Sequence, residues 1–131
     1  MLKQFTIQTG KEGMYDITET VEAFVRESGF KEGICLVYCP HTTAAITINE
    51  NADPAVSRDM LLGLNNVFPA DPAYQHFEGN SPAHLKSSAI GDSELLIIAN
   101  GKLVRGLWQG VYFMEFDGPR ERSYYVKLME G

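Results

Sequence analysis

The chain has 131 residues, 44% of them hydrophobic, and a formal net charge of −6. That length supports one domain, residues 1–131, and no second independent core; the acidic balance, with no lysine or arginine run to offset it, argues against nucleic acid as a partner. No apolar run approaches the roughly 18 residues needed to cross a bilayer, and no basic then apolar leader opens the sequence, so a cytoplasmic protein without a membrane partner is expected.

Leu2 to Gln8 alternate well enough to read as an opening strand ended by Thr9-Gly10. Asp16 stands three residues before Glu19, the spacing of a capping box, and Ile17, Val21, Phe24 and Val25 form a helical stripe as far as Gly29. Gly33 to Cys39 and Thr43 to Ile48 are apolar and β-branched, with Pro40 between them, which fits two adjacent strands or one bent strand. Cys35 and Cys39 would share a strand face about 13 Å apart, beyond disulfide reach, and read as buried thiols.

Asp53-Pro54 is a strong helix start, and Val56, Met60, Leu61 and Leu64 recur on one face up to Asn65-Asn66. Phe68 to Pro82 is rich in proline, asparagine, glycine and aspartate and reads as a long irregular connection, of a length that usually has a role. Leu85 to Ile90 fits a short helix or an extended turn. Glu94 to Ala99, Lys102 to Arg105, Trp108 to Phe116 and Arg122 to Met129 follow as strands, with a hairpin at Asn100-Gly101 and a tight reversal at Asp117-Gly118-Pro119-Arg120. The sum is a strand-rich α+β domain whose two early helices cover one face of a mostly antiparallel or mixed sheet.

All three histidines lie in polar or chain-bending clusters: His41 after Cys39-Pro40, and His76 and His84 at either end of His76-Phe77-Glu78-Gly79-Asn80-Ser81-Pro82-Ala83-His84. Neutral imidazole both binds borderline metals and exchanges protons near pH 7. A bent loop that joined them, with one position left for water, would suit a catalytic divalent ion: zinc by the imidazoles, or magnesium if carboxylates and a phosphorylated substrate contribute. Glu50, Asp53 and Glu78 are the carboxylates nearest in sequence, with helix capping the better reading for Asp53. Trp108, with Gln109 beside it, reads first as packing area with pocket exposure, and Arg120 as a phosphate ligand or a partner in a surface ion pair among Glu115, Asp117 and Arg122.

The ordered set His41-Thr42-Thr43-Ala44-Ala45-Ile46-Thr47-Ile48-Asn49-Glu50-Asn51, Asp53-Pro54, the His76 to His84 segment, Trp108-Gln109 and Glu115-Phe116-Asp117-Gly118-Pro119-Arg120 resembles the YjbQ family, also called the secondary thiamine-phosphate synthase family. The resemblance implies a sandwich-like α+β subunit and a homotrimer whose polar motifs converge near subunit boundaries. It implies a site marked by His41, His76 and His84 with Asn49, Glu50, Asp53 and Asn80. Within it the residue chemistry predicts His41, His76 and His84 as metal ligands, His41, Glu50, Glu78 and His84 as catalytic groups, and Asn49, Asn80, Ser81, Trp108, Gln109 and Arg120 as contacts to a small, phosphorylated substrate. Leu107 stands where the family more often has a small hydroxylated residue. The family name implies joining an aminopyrimidine methyl diphosphate to a thiazole phosphate, releasing pyrophosphate. Two alternatives remain: a metal-dependent hydrolase of a small substrate, and a non-enzymatic trimeric ligand-binding or scaffold protein.

Overall fold

The computed structural model describes residues 1–131. Its strands are β1 (Leu2–Gln8), β2 (Gly13–Asp16), β3 (Gly33–Tyr38), β4 (Ala44–Glu50), β5 (Ser93–Ala99), β6 (Lys102–Val104), β7 (Gln109–Glu115) and β8 (Glu121–Glu130); its helices are α1 (Thr18–Ser28), α2 (Pro54–Val67) and α3 (Ser81–Ile90). The strands form two wholly antiparallel sheets, one of five in the order β1-β8-β3-β5-β6 and one of three in the order β2-β7-β4. The domain is therefore α+β and a sandwich, as expected.

Alternation along each strand decides what the sheets bury. Cys35, Val37, Leu96, Ile98, Tyr124, Val126 and Leu128 of the larger sheet meet Ala44, Ile46, Val111 and Phe113 of the smaller, and Val21, Phe24 and Val25 of α1 join the same core. The other face of the small sheet is covered by α2 and α3, through Ala45, Met114 and Phe116 against Ala83, Leu61 and Leu64. Central strand β7 is consequently buried on both faces from Gly110 to Glu115. The outer face of the large sheet has no such cover.

Three expectations change. Four-residue β2 escaped notice because a half-buried stretch that short carries too little alternation to register. The Asp16–Glu19 capping box does not form: Asp16 still belongs to β2, its carboxylate accepts from the Thr18 amide at 2.9 Å, and Glu19 pairs with Arg26 instead. The segment around His84 is a ten-residue helix, anchored by the Ser87 hydroxyl donating to the Ala44 carbonyl at 2.7 Å and by the buried Lys86 ammonium on Asn65. Its helical stripe is hidden in the sequence because the buried positions are Ala83, Lys86 and Ser87. Asp53 caps α2 through the Ala55 amide at 2.9 Å, and Asn100 and Gly101 adopt the positive φ values that their hairpin requires.

Two strands of opposite sheets share one further contact. By alternation, Glu115 of β7 and Arg122 of β8 both point between the sheets, and there they form a two-pronged ion pair, Nε to Oε1 at 2.7 Å and a terminal guanidinium nitrogen to Oε2 at 2.5 Å. Thr9 donates to the same carboxylate at 2.6 Å, the Asp117 amide at 3.0 Å, and Arg122 reaches the Thr43 hydroxyl at 2.8 Å. This pair closes one end of the sandwich.

Candidate active site

His41 sits directly above that end. Strand β3 stops at Tyr38, the Cys39 amide is held by the Asp92 carbonyl at 2.7 Å, and Pro40 cannot continue the ladder for want of a donor. The His41 ring then takes the place of the missing strand against β8: its Nε2 lies 3.0 Å from the Ser123 amide and 3.1 Å from the Ser123 carbonyl oxygen. Each neutral tautomer meets one of these two groups and not the other. Nε2 accepts from the amide when Nδ1 holds the proton, or donates to the carbonyl when Nδ1 is bare.

Burial pushes the His41 imidazole below its ordinary value, and the Arg122 guanidinium pushes it the same way; the Ser123 backbone and Glu115 act in the opposite direction without prevailing. At neutral pH His41 is uncharged. Burial alone would raise Glu115, but its bonds from Arg122, Thr9 and the Asp117 amide outweigh that and hold the carboxylate ionised, below the usual range.

Helix α3 brings His84 to the same place. His41, Thr42, His84, Ser88 and Asp92 line one open cavity of about 500 Å³ that no hydrophobic side chain enters. His76 packs edge-on against His84, ring centres 5.3 Å apart, and its Nε2 is 4.0 Å from Glu78 in the exposed connection before the helix. At the start of α3, Asn80 donates to Asp117 at 2.8 Å, Arg120 grips the same carboxylate at 3.0 Å, and Ser81 opens the helix. Asn80 Oδ1 is the one buried side-chain polar atom without a partner.

Of the residues expected at one site, these are the ones brought together: His41, His84, His76, Glu78, Asn80, Ser81 and Arg120 share one end of the domain. The others are not with them. In the β4–β7 ladder Ala44 faces Glu115 while Glu50 faces Gln109, so Asn49, Glu50, Gln109 and Trp108 lie a strand length away, roughly 20 Å at the usual rise per residue. Glu50 thus cannot act on the same substrate atom as His41 of the same chain, and Trp108 and Gln109 cannot share a small ligand with Asn80. Closeness in sequence misled here because an extended strand separates its ends as fast as a chain can. At that far end Asn51 fills the space beside Gly110, where a Cβ would lie 2.6 Å from its amide nitrogen.

The three imidazoles do not assemble into one set within a single chain. No three of the chain's histidine, cysteine, aspartate and glutamate side chains gather closely enough to hold an ion. His41 is tied to Ser123 by its ring, whereas His76 stands on the exposed connection. Conversely, Thr42, Ser88 and Asp92 line the cavity without having been singled out. Asp92 arrives there only through its backbone bond to Cys39, a long-range contact that leaves no trace in local spacing.

The model of the family described as UPF0047 protein YjbQ-like matches residues 3–131. The chain belongs to the YjbQ family. It is 54% identical to the UPF0047 protein YugU of Bacillus subtilis, over 98% of this chain and 99% of that one, and 49% identical to a UPF0047 protein of Methanocaldococcus jannaschii, over 98% and 94%. Among solved structures, a YjbQ/UPF0047 family protein of Clostridium acetobutylicum superposes with a TM-score of 0.94 at 52% identity, covering 97% of this chain and 99% of that one. A Sulfolobus solfataricus YbjQ-like protein gives 0.95 at 33%, covering 100% and 97%. No helix is long and apolar enough to cross a membrane.

The His41 environment makes a signed prediction. Because the folded chain holds His41 neutral more firmly than the unfolded chain does, this group's contribution to stability is present at neutral pH and is lost as pH falls from about 6.5 through the lower folded value. An NMR titration of the imidazole carbons is expected to place the His41 midpoint below about 6.5; a midpoint above that would show that burial and Arg122 do not dominate.

Proposed function

We propose that the cavity shared by His41 and His84 is a general acid–base site and that the protein hydrolyses a small polar substrate. The observation that carries this reading is the pairing of two imidazoles on one polar cavity, with His41 held neutral and its Nδ1 free of any bond within the chain. With Nε2–H donated to the Ser123 carbonyl, Nδ1 takes a proton from water; His84 supplies one to the leaving group. Proton transfer by positioned groups of this kind contributes about 10²–10⁴-fold. Zinc or magnesium, expected from the resemblance, enters this reading only with a donor from a second chain, and the proton transfers above do not require it.

The thiamine-phosphate synthase reaction is the second reading, favoured by the family resemblance. Its two phosphorylated precursors call for cations facing the substrate, whereas the cavity lining holds no lysine or arginine, Arg120 is bound to Asp117 and Arg122 is buried. Cys35 and Cys39, buried free thiols, suit a reducing cytoplasmic setting.

We also propose that the protein is a homotrimer associating through the outer face of the large sheet. Antiparallel sheets that face water normally alternate to polar residues, yet Leu95, Ile97, Val104 and Met129 are each about half exposed or more on this face, beside Tyr38 and Tyr125. A neighbouring copy there would remove this surface from water. The third alternative, a trimer that binds without turnover, shares this assembly and differs only in the assay below.

Purified protein is expected to hydrolyse members of a panel of small carboxylic and phosphate esters, with His41→Ala and His84→Ala each losing about 100-fold or more in kcat/KM and Glu50→Gln within a few-fold of the parent. Formation of thiamine phosphate from its two precursors, dependent on His41 and without ester hydrolysis, would select the synthase instead. Light scattering is expected to give three times the 14.6 kDa chain mass and to fall to one chain in Ile97→Lys; a monomeric parent would remove the trimer.

A further inference from the structure

A second cavity, about 650 Å³, shares no residue with the His41 site. It opens between the C-terminal half of α1, the turn that follows it and the β5–β6 hairpin. Its charge is opposite to that of the chain: Arg26, Lys31, Lys102 and Arg105 line it against Glu22 alone, in a protein of net charge −6. Arg105 satisfies Glu22 at 2.8 Å and donates to the Gln109 carbonyl at 2.7 Å, so that pair is fixed and neutral. Arg26 is engaged by Glu19 on the exposed side of α1. Lys31 and Lys102 make no ion pair.

Those two ammonium groups flank the same turn. The Gly101 amide donates to the Lys31 carbonyl at 3.0 Å, and a Cβ on Gly101 would lie 3.8 Å from Lys31 Nζ, which places the Lys31 side chain over the hairpin next to Lys102. Four apolar side chains also line the cavity. Val25 and Leu103 form buried floor, Phe30 packs against the core, and Leu107 stands at the rim 83% exposed. Leu107 is the large apolar residue that this chain carries beside Trp108.

We propose that this cavity is a binding site for a nucleoside diphosphate-like molecule, an anion of two phosphates on a planar apolar body. Its volume lies in the usual range for small-molecule sites. Two unpaired lysines act as point charges suited to a polyphosphate, which has no single planar face for an arginine fork to match. The apolar side chains from Phe30 to Leu107 accept the base, and the four basic residues of the lining against one glutamate favour an anion.

Calorimetric titration of the full chain with ADP tests this, with adenosine and inorganic pyrophosphate as the separate halves of the ligand. ADP is expected to bind saturably with one site per chain, at least ten-fold more tightly than either half. The double variant Lys31→Ala/Lys102→Ala, whose exposed side chains leave the core intact, is expected to weaken ADP at least ten-fold, Leu107→Ser to weaken it several-fold, and His84→Ala to leave it unchanged. Absence of saturable ADP binding would overturn the proposal, as would pyrophosphate binding as tightly as ADP, an unchanged dissociation constant in the double lysine variant, or loss of binding in His84→Ala. The His41 site stands or falls separately, since none of these residues touches it.

Discussion

The Glu115–Arg122 pair is the constraint on which the geometry of the domain end depends. It joins the central strand of the small sheet to the second strand of the large one, and it lies where the sandwich would otherwise expose its interior. Removing two charges from water costs several kcal/mol for each, and the pair offsets this with further hydrogen bonds from Thr9 and the Asp117 amide to the carboxylate and from Arg122 to the Thr43 hydroxyl. Those three partners come from the end of β1, the β7–β8 corner and the start of β4. One ion pair thus fixes three loops, and His41 stands on one of them. Its ring then meets Ser123, the next residue but one along β8 from Glu121 and the immediate neighbour of Arg122.

The same pair sets the electrostatics of His41. Arg122 lies beneath the imidazole and opposes its protonation, while Glu115 only partly compensates, so the neutral ring results from packing rather than from an adjacent acid. A polar cavity bounded by two imidazoles follows from the meeting of this loop with α3, through Ser87 on the Ala44 carbonyl. Chemistry and fold share the same few bonds at this end of the molecule.

Much of this was legible in the residues. Strand alternation in Gly33–Tyr38 and Gln109–Glu115, the Asp53 cap and the Asn100-Gly101 hairpin are local signals, and each appears in the fold for the reason it suggested. His41, His76 and His84 stand out in the sequence, and His41 and His84 line one cavity. What was illegible depends on distance through space: β2 gains its identity only by pairing with β7, α3 hides its stripe behind Lys86 and Ser87, and Asp92 reaches the cavity by a backbone bond. Glu50 and Trp108 were misplaced for the converse reason. Motifs adjacent in the sequence pattern sit at opposite ends of β4 and β7.

Equilibrium urea unfolding of Glu115→Gln probes the buried pair most directly. The substitution keeps the shape and removes the charge, leaving Arg122 buried without its counterion, and the account predicts a loss of about 3–5 kcal/mol, against less than about 1 kcal/mol for Arg120→Gln at the exposed pair with Asp117. A Glu115→Gln protein that unfolds at the same urea concentration as its parent would contradict it.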